Sequence, residues 1–233
     1  MQVLHPNLEE KLAALRQCSY FANMDASMLA ELAEGTRLLS FNRDEVLFWQ
    51  GEPGAGLYML RRGSVKLFKV SPQGRELIIN VFEEGATFNE VPTFDDGPNP
   101  VNVAALEDSQ VWAIDHSTIR RLMHEHPEMY RQVTINLARN LRMMVDVIEQ
   151  LSFYLVINRL AKLLIQLSPE QLTDPAGAAR LTQDQLAARL GTVREVVARA
   201  LRQLERSGAI RIRRRKIEIL DREALKRWTD VQQ

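Results

Sequence analysis

The segment "LTQDQLAARLGTVREVVARALRQLERSGAI", Leu181 to Ile210, predicts two short helices joined by a tight turn. Thr182 and Gln185 have the spacing of a capping box, in which each side chain hydrogen-bonds the other residue's backbone. The first helix is therefore expected to run from Gln183 to about Leu190.

The turn and the second helix follow directly. Gly191 supplies the turn, Thr192 is placed to cap the second helix, and that helix runs to Ser207 before Gly208 stops it. The residues expected on the common apolar face are Leu186, Leu190, Val193, Val197, Leu201 and Leu204. Two helices packed in this way around a glycine turn form a helix-turn-helix.

Charged residues cluster on the face of the second helix that points away from these apolar positions. Arg194 and Arg199 can hold guanine O6 and N7 together, and Glu195 can accept a hydrogen bond from cytosine N4. The alternative is a solvated face on which Glu195 pairs with Arg199 four residues later. Base reading is favoured because the charges begin at the N-terminal end of the helix, where base edges are contacted.

A basic hairpin is predicted directly after the helix-turn-helix, in "AIRIRRRKIEILD". Its strands are Ile210–Arg213 and Ile217–Leu220, and its tip can neutralise phosphates without reading sequence. Alternatively, the charges protect an edge strand from aggregation. The residues predicted to support DNA binding, mainly through phosphates, are Thr182, Gln183, Thr192, Arg202, Arg213, Arg214, Arg215 and Lys216.

The charge distribution also points to nucleic acid. The net charge of the whole chain is zero, but residues 1–151 carry 14 lysines and arginines against 21 acidic residues, a net charge of −7. Residues 152–233 carry 16 against 9, a net charge of +7. A basic C-terminal third on an acidic body indicates one part that meets a polyanion and another with a different task.

Several classes of protein are excluded by composition. No apolar run approaches the roughly 18 residues of a membrane helix, and the N-terminus lacks an export signal, so a cytoplasmic protein without membrane contact is expected. The single cysteine, Cys18, predicts a packing role and cannot hold an iron–sulfur cluster or a zinc site alone. No nucleophile–base set, phosphate loop or metal-ligand spacing is visible, which argues against an enzyme and against a metal site.

Residues 38–114 alternate short β-type runs with turn residues, a pattern typical of an antiparallel roll or sandwich. Two helices are expected before it, the second capped by Asp25 and closed by Gly35. With helices after Asp115, the fold class is α+β. The predicted division is a sensor domain at 1–126, a dimerisation helix at 127–154 and a winged helix-turn-helix domain at 155–233.

The helix expected from Pro127 to about Tyr154 carries apolar residues at alternating steps of four and three. This heptad spacing is typical of a coiled-coil seam between two subunits, although a helix packed on its own domain is the alternative. A second apolar stripe, with Val133, Met143 and Val147, would allow the helix to pack on its own domain and on a second subunit at the same time. The predicted seam consists of Leu137, Leu141, Met144, Ile148 and Leu151.

Over nearly its full length the chain resembles the CRP/FNR family of transcription regulators. The helix-turn-helix segment is similar to the family's DNA-binding signature, and "GEPGAGLYMLRRGSVKLFK" is similar to its cyclic-nucleotide-binding-like β-roll. The resemblance implies a homodimer on palindromic promoter DNA, with Arg194, Glu195 and Arg199 on the bases, and RNA polymerase as a partner if the protein is an activator. Val193 and Val196 depart from the family's common serine and threonine.

The loop "TFNEVPTFDDGPNPVNVAAL", residues 87–106, departs from the nucleotide-binding members of the family. Glu90 matches the glutamate that holds ribose in those members, but Pro100 and Val101 stand where arginine and serine are expected. A phosphate buried without its arginine is poorly compensated, so cAMP is not the expected ligand. The residues predicted to line a repurposed sensor pocket are Phe88, Glu90 and Val101.

The same loop is most similar to the DNR-like branch, whose members answer to nitric oxide and are thought to use heme. This resemblance implies nitric oxide as the signal and heme as the cofactor, and redox state is a further candidate signal. The candidate heme ligands are His5, His116, His124 and His126, none of which lies in a heme-binding motif. A cyclic-nucleotide-responsive activator and a regulator without an effector remain the alternatives.

Overall fold

The fold is taken from a computed structural model that describes residues 1–21, 24–167, 181–213 and 216–229. The chain forms two compact units. Unit 1 comprises Met1–Lys69 and Ile79–Arg142, and unit 2 comprises Val70–Ile78 and Met143–Gln233. The division into domains at 126 and 154 stays a prediction, because the boundary between the units falls within a helix, after Arg142.

Unit 1 is built around the predicted antiparallel β-structure, here two sheets. One sheet has the order β1-β2-β9-β4-β7 and the other the order β3-β8-β5-β6. The strands are β1 (Gln2–Leu4), β2 (Thr36–Phe41), β3 (Val46–Phe48), β4 (Gly56–Arg62), β5 (Val65–Val70), β6 (Glu76–Phe82), β7 (Thr87–Phe88), β8 (Asn102–Ala105) and β9 (Ser109–Asp115). The short, turn-separated runs of the sequence are therefore confirmed as strands of a roll.

Helices flank the roll, and their ends follow from local sequence. They are α1 (Leu8–Gln17), α2 (Ala26–Glu34), α3 (Glu90–Asp95) and α4 (His116–Glu125), followed by the long α5 (Met129–Phe153). Asp25 caps α2 through Ser27 N and Met28 N, as predicted, because its carboxylate satisfies amide groups that have no partner within the helix. Helix α3 lies inside the segment that the sequence presents as a loop.

Two apolar clusters hold unit 1 together. The first lies among the helices and the outer face of β4 and β9, and it includes Cys18, which is fully buried and packs as predicted. The second is formed by side chains of both sheets, with Phe88 at 0% exposure inside it. Phe88 stacks on Tyr58 and Phe82, with ring centroids 5.4 and 5.9 Å away. We call the second cluster the roll core.

Unit 2 contains the C-terminal elements. These are α6 (Val156–Gln166), α7 (Gln183–Leu190), α8 (Arg194–Arg206), β10 (Ile210–Arg213), β11 (Lys216–Ile219) and α9 (Arg222–Arg227). Leu160, Leu164, Leu186, Leu201 and Leu204 are buried in its core. Strands β10 and β11 pair in antiparallel register from Ile210↔Ile219 to Arg213↔Lys216, which gives the predicted hairpin with its second strand one residue earlier.

Candidate functional site

The first helix of the predicted helix-turn-helix forms as its sequence requires. Thr182 Oγ1 accepts from the Gln185 amide at 3.1 Å, and Gln185 Oε1 accepts from the Thr182 amide at 2.8 Å, so the capping box is complete. Gly191 closes the helix with φ of 63°, a left-handed conformation that glycine adopts without steric cost. The capping box and the glycine turn are confirmed.

The second helix starts one residue later than predicted, and the predicted cap by Thr192 is wrong. The amide of Thr192 donates to Ala187 O at 3.0 Å, which makes Thr192 part of the C-terminal turn of α7. Val193 is the N-cap of α8 and offers no side-chain hydrogen bond. The first amides of α8 therefore have no side-chain cap, and they are groups that can bind a DNA phosphate.

The three predicted base readers lie on the outer face of α8. Arg194, Glu195 and Arg199 are all exposed, while Val197 and Leu201 on the opposite face are buried. Arg194 Nη1 lies 3.7 Å from Asp184 Oδ2 on α7. Within the described part of the chain, neither Glu195 nor Arg199 takes part in an ion pair. Pairing of Glu195 with Arg199 therefore does not account for these charges.

A groove brings part of the predicted DNA-binding set together. It has a volume of about 440 Å³ and lies between the start of α7, the start of α8 and the β10–β11 hairpin. Thr182, Gln183 and Arg194 line it, together with Asp184. Leu186, Leu201, Ile212 and Ile217 form its apolar part. The remaining supporting residue on α8, Arg202, is exposed on the helix surface.

The β10–β11 hairpin is hydrogen-bonded to α8. Glu205 on α8 accepts from the Ile212 amide at 2.8 Å, and Arg211 and Glu218 face each other across the strands at 4.0 Å. Arg213 is exposed at the end of β10. Of the other predicted phosphate contacts, Arg214 and Arg215 lie outside the described residues, and Lys216 begins β11, with its side chain also outside the described part.

Arg159 is a residue at this site that sequence reasoning missed. It lies on α6, and its Nη1 donates to Leu190 O at 2.6 Å, at the end of α7. Burial lowers the pKa of its guanidinium. Arg159 thus hydrogen-bonds the turn of the helix-turn-helix from α6. The contact joins residues 31 positions apart, so the local sequence does not predict it.

The predicted dimer seam is partly exposed. Leu141 and Ile148 are 66% and 63% exposed, and Leu151 is 46% exposed, which is unusual for leucine and isoleucine in a row along one helix. Leu137 is different, since it packs partly against the helical cluster of unit 1. Val133, on the second stripe, is buried in that cluster, so the N-terminal part of α5 packs in unit 1, while Leu141, Ile148 and Leu151 remain exposed.

The predicted sensor-pocket residues do not all lie together. Phe88 is at the centre of the roll core and Val101 packs against it. Glu90, the first residue of α3, contacts a different set of groups. Its carboxylate accepts from the Tyr20 hydroxyl at 3.3 Å and from Thr87 Oγ1 at 3.4 Å, and it also hydrogen-bonds the side chain of Asn140 on α5.

The pKa values of Glu90 and of two neighbouring side chains, Tyr20 and Cys18, are raised. Burial raises the pKa of Glu90 above the ordinary glutamate value, and the hydrogen bonds from Tyr20, Thr87 and Asn140 oppose that shift. Burial, together with the nearby carboxylate, raises the pKa of Tyr20. Burial raises the pKa of Cys18 to about 12, so its sulfur stays a thiol at neutral pH.

The four candidate heme ligands lie away from the roll core. His5 and His124 are exposed on the surface. His116 Nε2 lies 3.0 Å from Asp96 Oδ1, and His126 Nδ1 lies 3.3 Å from Glu128 Oε1. Because none of the four belongs to the aromatic interior, the residues present do not fit a histidine-ligated heme inside the roll.

None of the described helices combines the length and apolarity that crossing a membrane requires. No three His, Cys, Asp or Glu side chains in the described ranges converge where they could bind a metal ion.

Two family models match the chain, one in each part of it. The cyclic nucleotide-binding domain matches residues 38–126, and the Crp-like helix-turn-helix domain matches residues 158–228. The first covers the roll from within β2 to β9, with α3 and α4. The second covers α6 to α9 and therefore includes Arg194, Glu195 and Arg199.

Known proteins agree with both matches. The chain is 31% identical over 217 residues to a CRP-like cAMP-activated global transcriptional regulator from Mycobacterium tuberculosis, covering 91% of this chain and 97% of that protein. Its fold resembles a putative crp/fnr regulator from Eubacterium rectale, with a TM-score of 0.79, 19% identity and coverage of 90% and 98%.

A third likeness concerns the sensor region alone. The sensor domain of the regulator DNR from Pseudomonas aeruginosa has a TM-score of 0.54 and 24% identity, over 60% of this chain and 93% of that domain, which shows a shared fold. The family models, the Mycobacterium relative and the helix-turn-helix geometry lead to one conclusion: the chain belongs to the CRP/FNR family of DNA-binding transcription regulators.

Proposed function

We propose that the chain regulates transcription as a homodimer that reads a palindromic promoter site through Arg194, Glu195 and Arg199. The observation that carries this proposal is the outer face of α8, the second helix of a helix-turn-helix, where Arg194 and Glu195 are exposed in the first turn and Arg199 in the second. Such a helix end enters the major groove, where arginine and glutamate discriminate bases. Because the ligand is promoter DNA, the proposed site of action is the cytoplasm.

The proposed dimer rests on α5. Leu141, Ile148 and Leu151 expose an apolar stripe on a helix whose N-terminal part is already packed in unit 1 through Met129 and Val133. A second copy of the same helix would cover this stripe through coiled-coil packing. Two recognition helices related by twofold symmetry would then read two half-sites about one turn of DNA apart. An activator would in addition contact RNA polymerase.

Selection from a random duplex library tests the DNA-binding proposal. We expect the wild-type protein to enrich a palindromic sequence, and Arg194→Ala with Arg199→Ala to abolish the enrichment while circular dichroism stays unchanged. Enrichment of the same palindrome by the doubly substituted protein would show that other residues read the bases.

We further propose that the controlling signal is not a cyclic nucleotide. Residues 87–106 contain no arginine or lysine, and Pro100 and Val101 occupy the place of the phosphate-binding pair. The carboxylate of Glu90 accepts from both Tyr20 and Thr87 at Oε1, so these two bonds engage one of its oxygens with groups of the protein itself. A phosphate here would meet aromatic rings and a carboxylate in place of a compensating cation.

The geometry favours an uncharged effector over the signals implied by the DNR-like branch. Histidine-ligated heme receives no support from the positions of the four histidines, and redox sensing through Cys18 receives none from its burial and raised pKa. The roll core is aromatic, with Phe48, Tyr58 and Phe88 in contact, so an effector that entered between these rings would be apolar or neutral. A cyclic nucleotide is the second candidate, because the Mycobacterium relative is described as cAMP-activated.

Two measurements separate these signals. Calorimetric titration with cAMP should give no heat of binding, and a saturable heat would establish the second candidate. The absorption spectrum after addition of hemin should show no stoichiometric Soret band, and a band that His116→Ala or His126→Ala removes would restore the heme hypothesis.

A further inference from the structure

The hairpin between β5 and β6 belongs to unit 2, together with the helix-turn-helix. Its turn is closed by hydrogen bonds from the Ser71 amide to Arg75 O at 2.8 Å and from the Gly74 amide to Ser71 O at 2.9 Å. Residues 70–78 pack with unit 2, although β5 and β6, which carry them, are strands of the sheet β3-β8-β5-β6 of the roll. We call residues 70–78 the tip segment.

One contact ties the tip segment to the turn of the helix-turn-helix. Leu77 Cδ1 lies 3.2 Å from the position that a Cβ atom on Gly191 would take. Leu151 Cδ2 lies 3.3 Å from the same position, on the side of α5. The glycine turn is therefore enclosed by two leucines that no local pattern links to it.

A second contact region lies beside the first. A cleft of about 620 Å³ is lined on one side by Gly74, Arg75 and Glu76 of the tip segment. On the other side it is lined by the turn and the first residues of α8, namely Thr192, Val193, Arg194 and Glu195. The tip segment thus faces the end of α8 that carries two of the proposed base readers.

DNA that reaches this end of α8 would have to occupy space beside the tip segment. The major groove is roughly 12 Å wide and admits a single helix or a two-stranded ribbon. A helix end with a β-hairpin beside it, across this cleft, is wider than that groove. Base reading by Arg194 and Glu195 therefore requires the tip segment to leave the cleft.

We propose that the tip segment is a built-in competitor of DNA, which rests on the proposed function of α8. With the tip segment docked through Leu77, it stands across the cleft from the first turn of α8, whose Arg194 and Glu195 are exposed to solvent, and it obstructs the approach of DNA, so DNA affinity is low. When the tip segment is displaced, the first turn is free. Because β5 and β6 are strands of the sensor sheet, a ligand that shifts these strands would change the docking equilibrium and thus the affinity for DNA.

Removal of the docking contact tests the proposal. Leu77→Ala deletes the side chain that contacts the turn at Gly191, and Leu77 is 37% exposed, so the roll core keeps its buried residues. Affinity is measured by fluorescence anisotropy on a duplex selected from a random library by the wild-type protein. We expect the Leu77→Ala protein to bind roughly fivefold tighter or more. Leu8→Ala, at an exposed leucine of α1, is the matched control and should bind like wild type.

A covalent link provides an independent measurement. Arg75→Cys with Val193→Cys places one thiol on each side of the cleft, and the native Cys18 is fully buried. A short bis-maleimide should join the two and abolish DNA binding, compared with the same variant before cross-linking. Arg75→Cys alone, treated in the same way, should retain binding.

The outcomes distinguish this proposal from the function on which it rests. Unchanged or weaker binding by Leu77→Ala, failure of the cross-link to form, or full binding by the cross-linked protein would each overturn the competitor role. If instead the wild-type protein selects no duplex and Arg199→Ala changes nothing, the proposed DNA-reading function fails as well.

Discussion

Arg194 Nη1 lies 3.7 Å from Asp184 Oδ2, so a proposed base reader on α8 forms an ion pair with a carboxylate on α7. Both side chains are well exposed, at 62% and 70%, and a pair of this kind contributes little to stability. Its expected consequence lies in DNA binding, because in a complex Asp184 would add a negative charge near the phosphates and compete with the bases for Arg194.

We therefore expect Asp184→Asn to increase DNA affinity by about threefold to tenfold at low salt, with the gain declining as salt screens the phosphates. Fluorescence anisotropy at several salt concentrations measures this. Glu31→Gln, which breaks an exposed pair with Arg121 in unit 1, is the control. A loss of affinity in Asp184→Asn would mean that Asp184 positions Arg194 productively.

The missing cap at Val193 predicts a gain in stability. Val193→Ser adds a hydroxyl that can accept from the free amides of α8, and an N-cap of this type contributes about 1 kcal/mol. The unfolding midpoint of unit 2 should rise by roughly 4 to 8 °C, as measured by scanning calorimetry. Val193→Ala removes the same apolar atoms without supplying a cap. Equal midpoints for the serine and alanine variants would rule out capping.

The exposed apolar stripe on α5, formed by Leu141, Ile148 and Leu151, predicts a dimer. Leu141→Lys with Ile148→Lys places two charges where a second helix would pack, so light scattering should show a monomer. The matched control, Leu8→Lys with Val3→Lys, changes two exposed apolar residues elsewhere and should remain dimeric. A dimer of unaltered mass in the α5 variant would refute the seam.

The buried carboxylate of Glu90 predicts a pH dependence. Its pKa is raised by burial, so the folded protein binds this proton more tightly than the unfolded chain does. The stabilising contribution is complete below the ordinary value of 4.5 and is lost as the pH rises through the raised pKa. Glu90→Gln removes this loss, so the variant should gain stability relative to wild type as the pH rises above 4.5.

Urea unfolding over a pH series measures this difference. In a Trp228→Phe background the remaining tryptophans, Trp49 and Trp112, both lie in unit 1 and report on its unfolding. Glu9→Gln, an exposed glutamate in the first turn of α1, should show no such trend. A pH-independent difference between Glu90→Gln and wild type would show that Glu90 titrates normally.

Local sequence was sufficient where local hydrogen bonds decide the structure. The capping box of Thr182 with Gln185 and the turn at Gly191 depend on neighbours within a few residues, and both are as predicted. Thr192 was misassigned because the turn of α7 uses its amide, which moves the start of α8 by one residue. Helix α3 was missed because Asn89, its N-cap, is left-handed and makes no side-chain cap bond, and six residues show no helical period.

Long-range contacts were beyond the sequence. Glu90 was expected in the sensor pocket with Phe88, but Tyr20 and Asn140, at distances of 70 and 50 positions along the chain, give it a separate polar environment. Likewise, Arg159 and Leu77 reach the helix-turn-helix turn from α6 and β6. The residue types of Arg159 and Leu77 do not predict contact with this turn, because arginine and leucine occur on most helices and strands.

The central claim is that α8 reads DNA, and the binding constant of Arg199→Ala on the selected duplex tests it most directly. The wild-type protein should bind with an affinity that falls steeply as salt rises, because phosphate contacts release counterions. Arg199→Ala should lose about 1 to 3 kcal/mol of binding free energy, while the exposed Arg16→Ala in α1 loses none. Equal affinity of Arg199→Ala and wild type on that duplex would contradict the account.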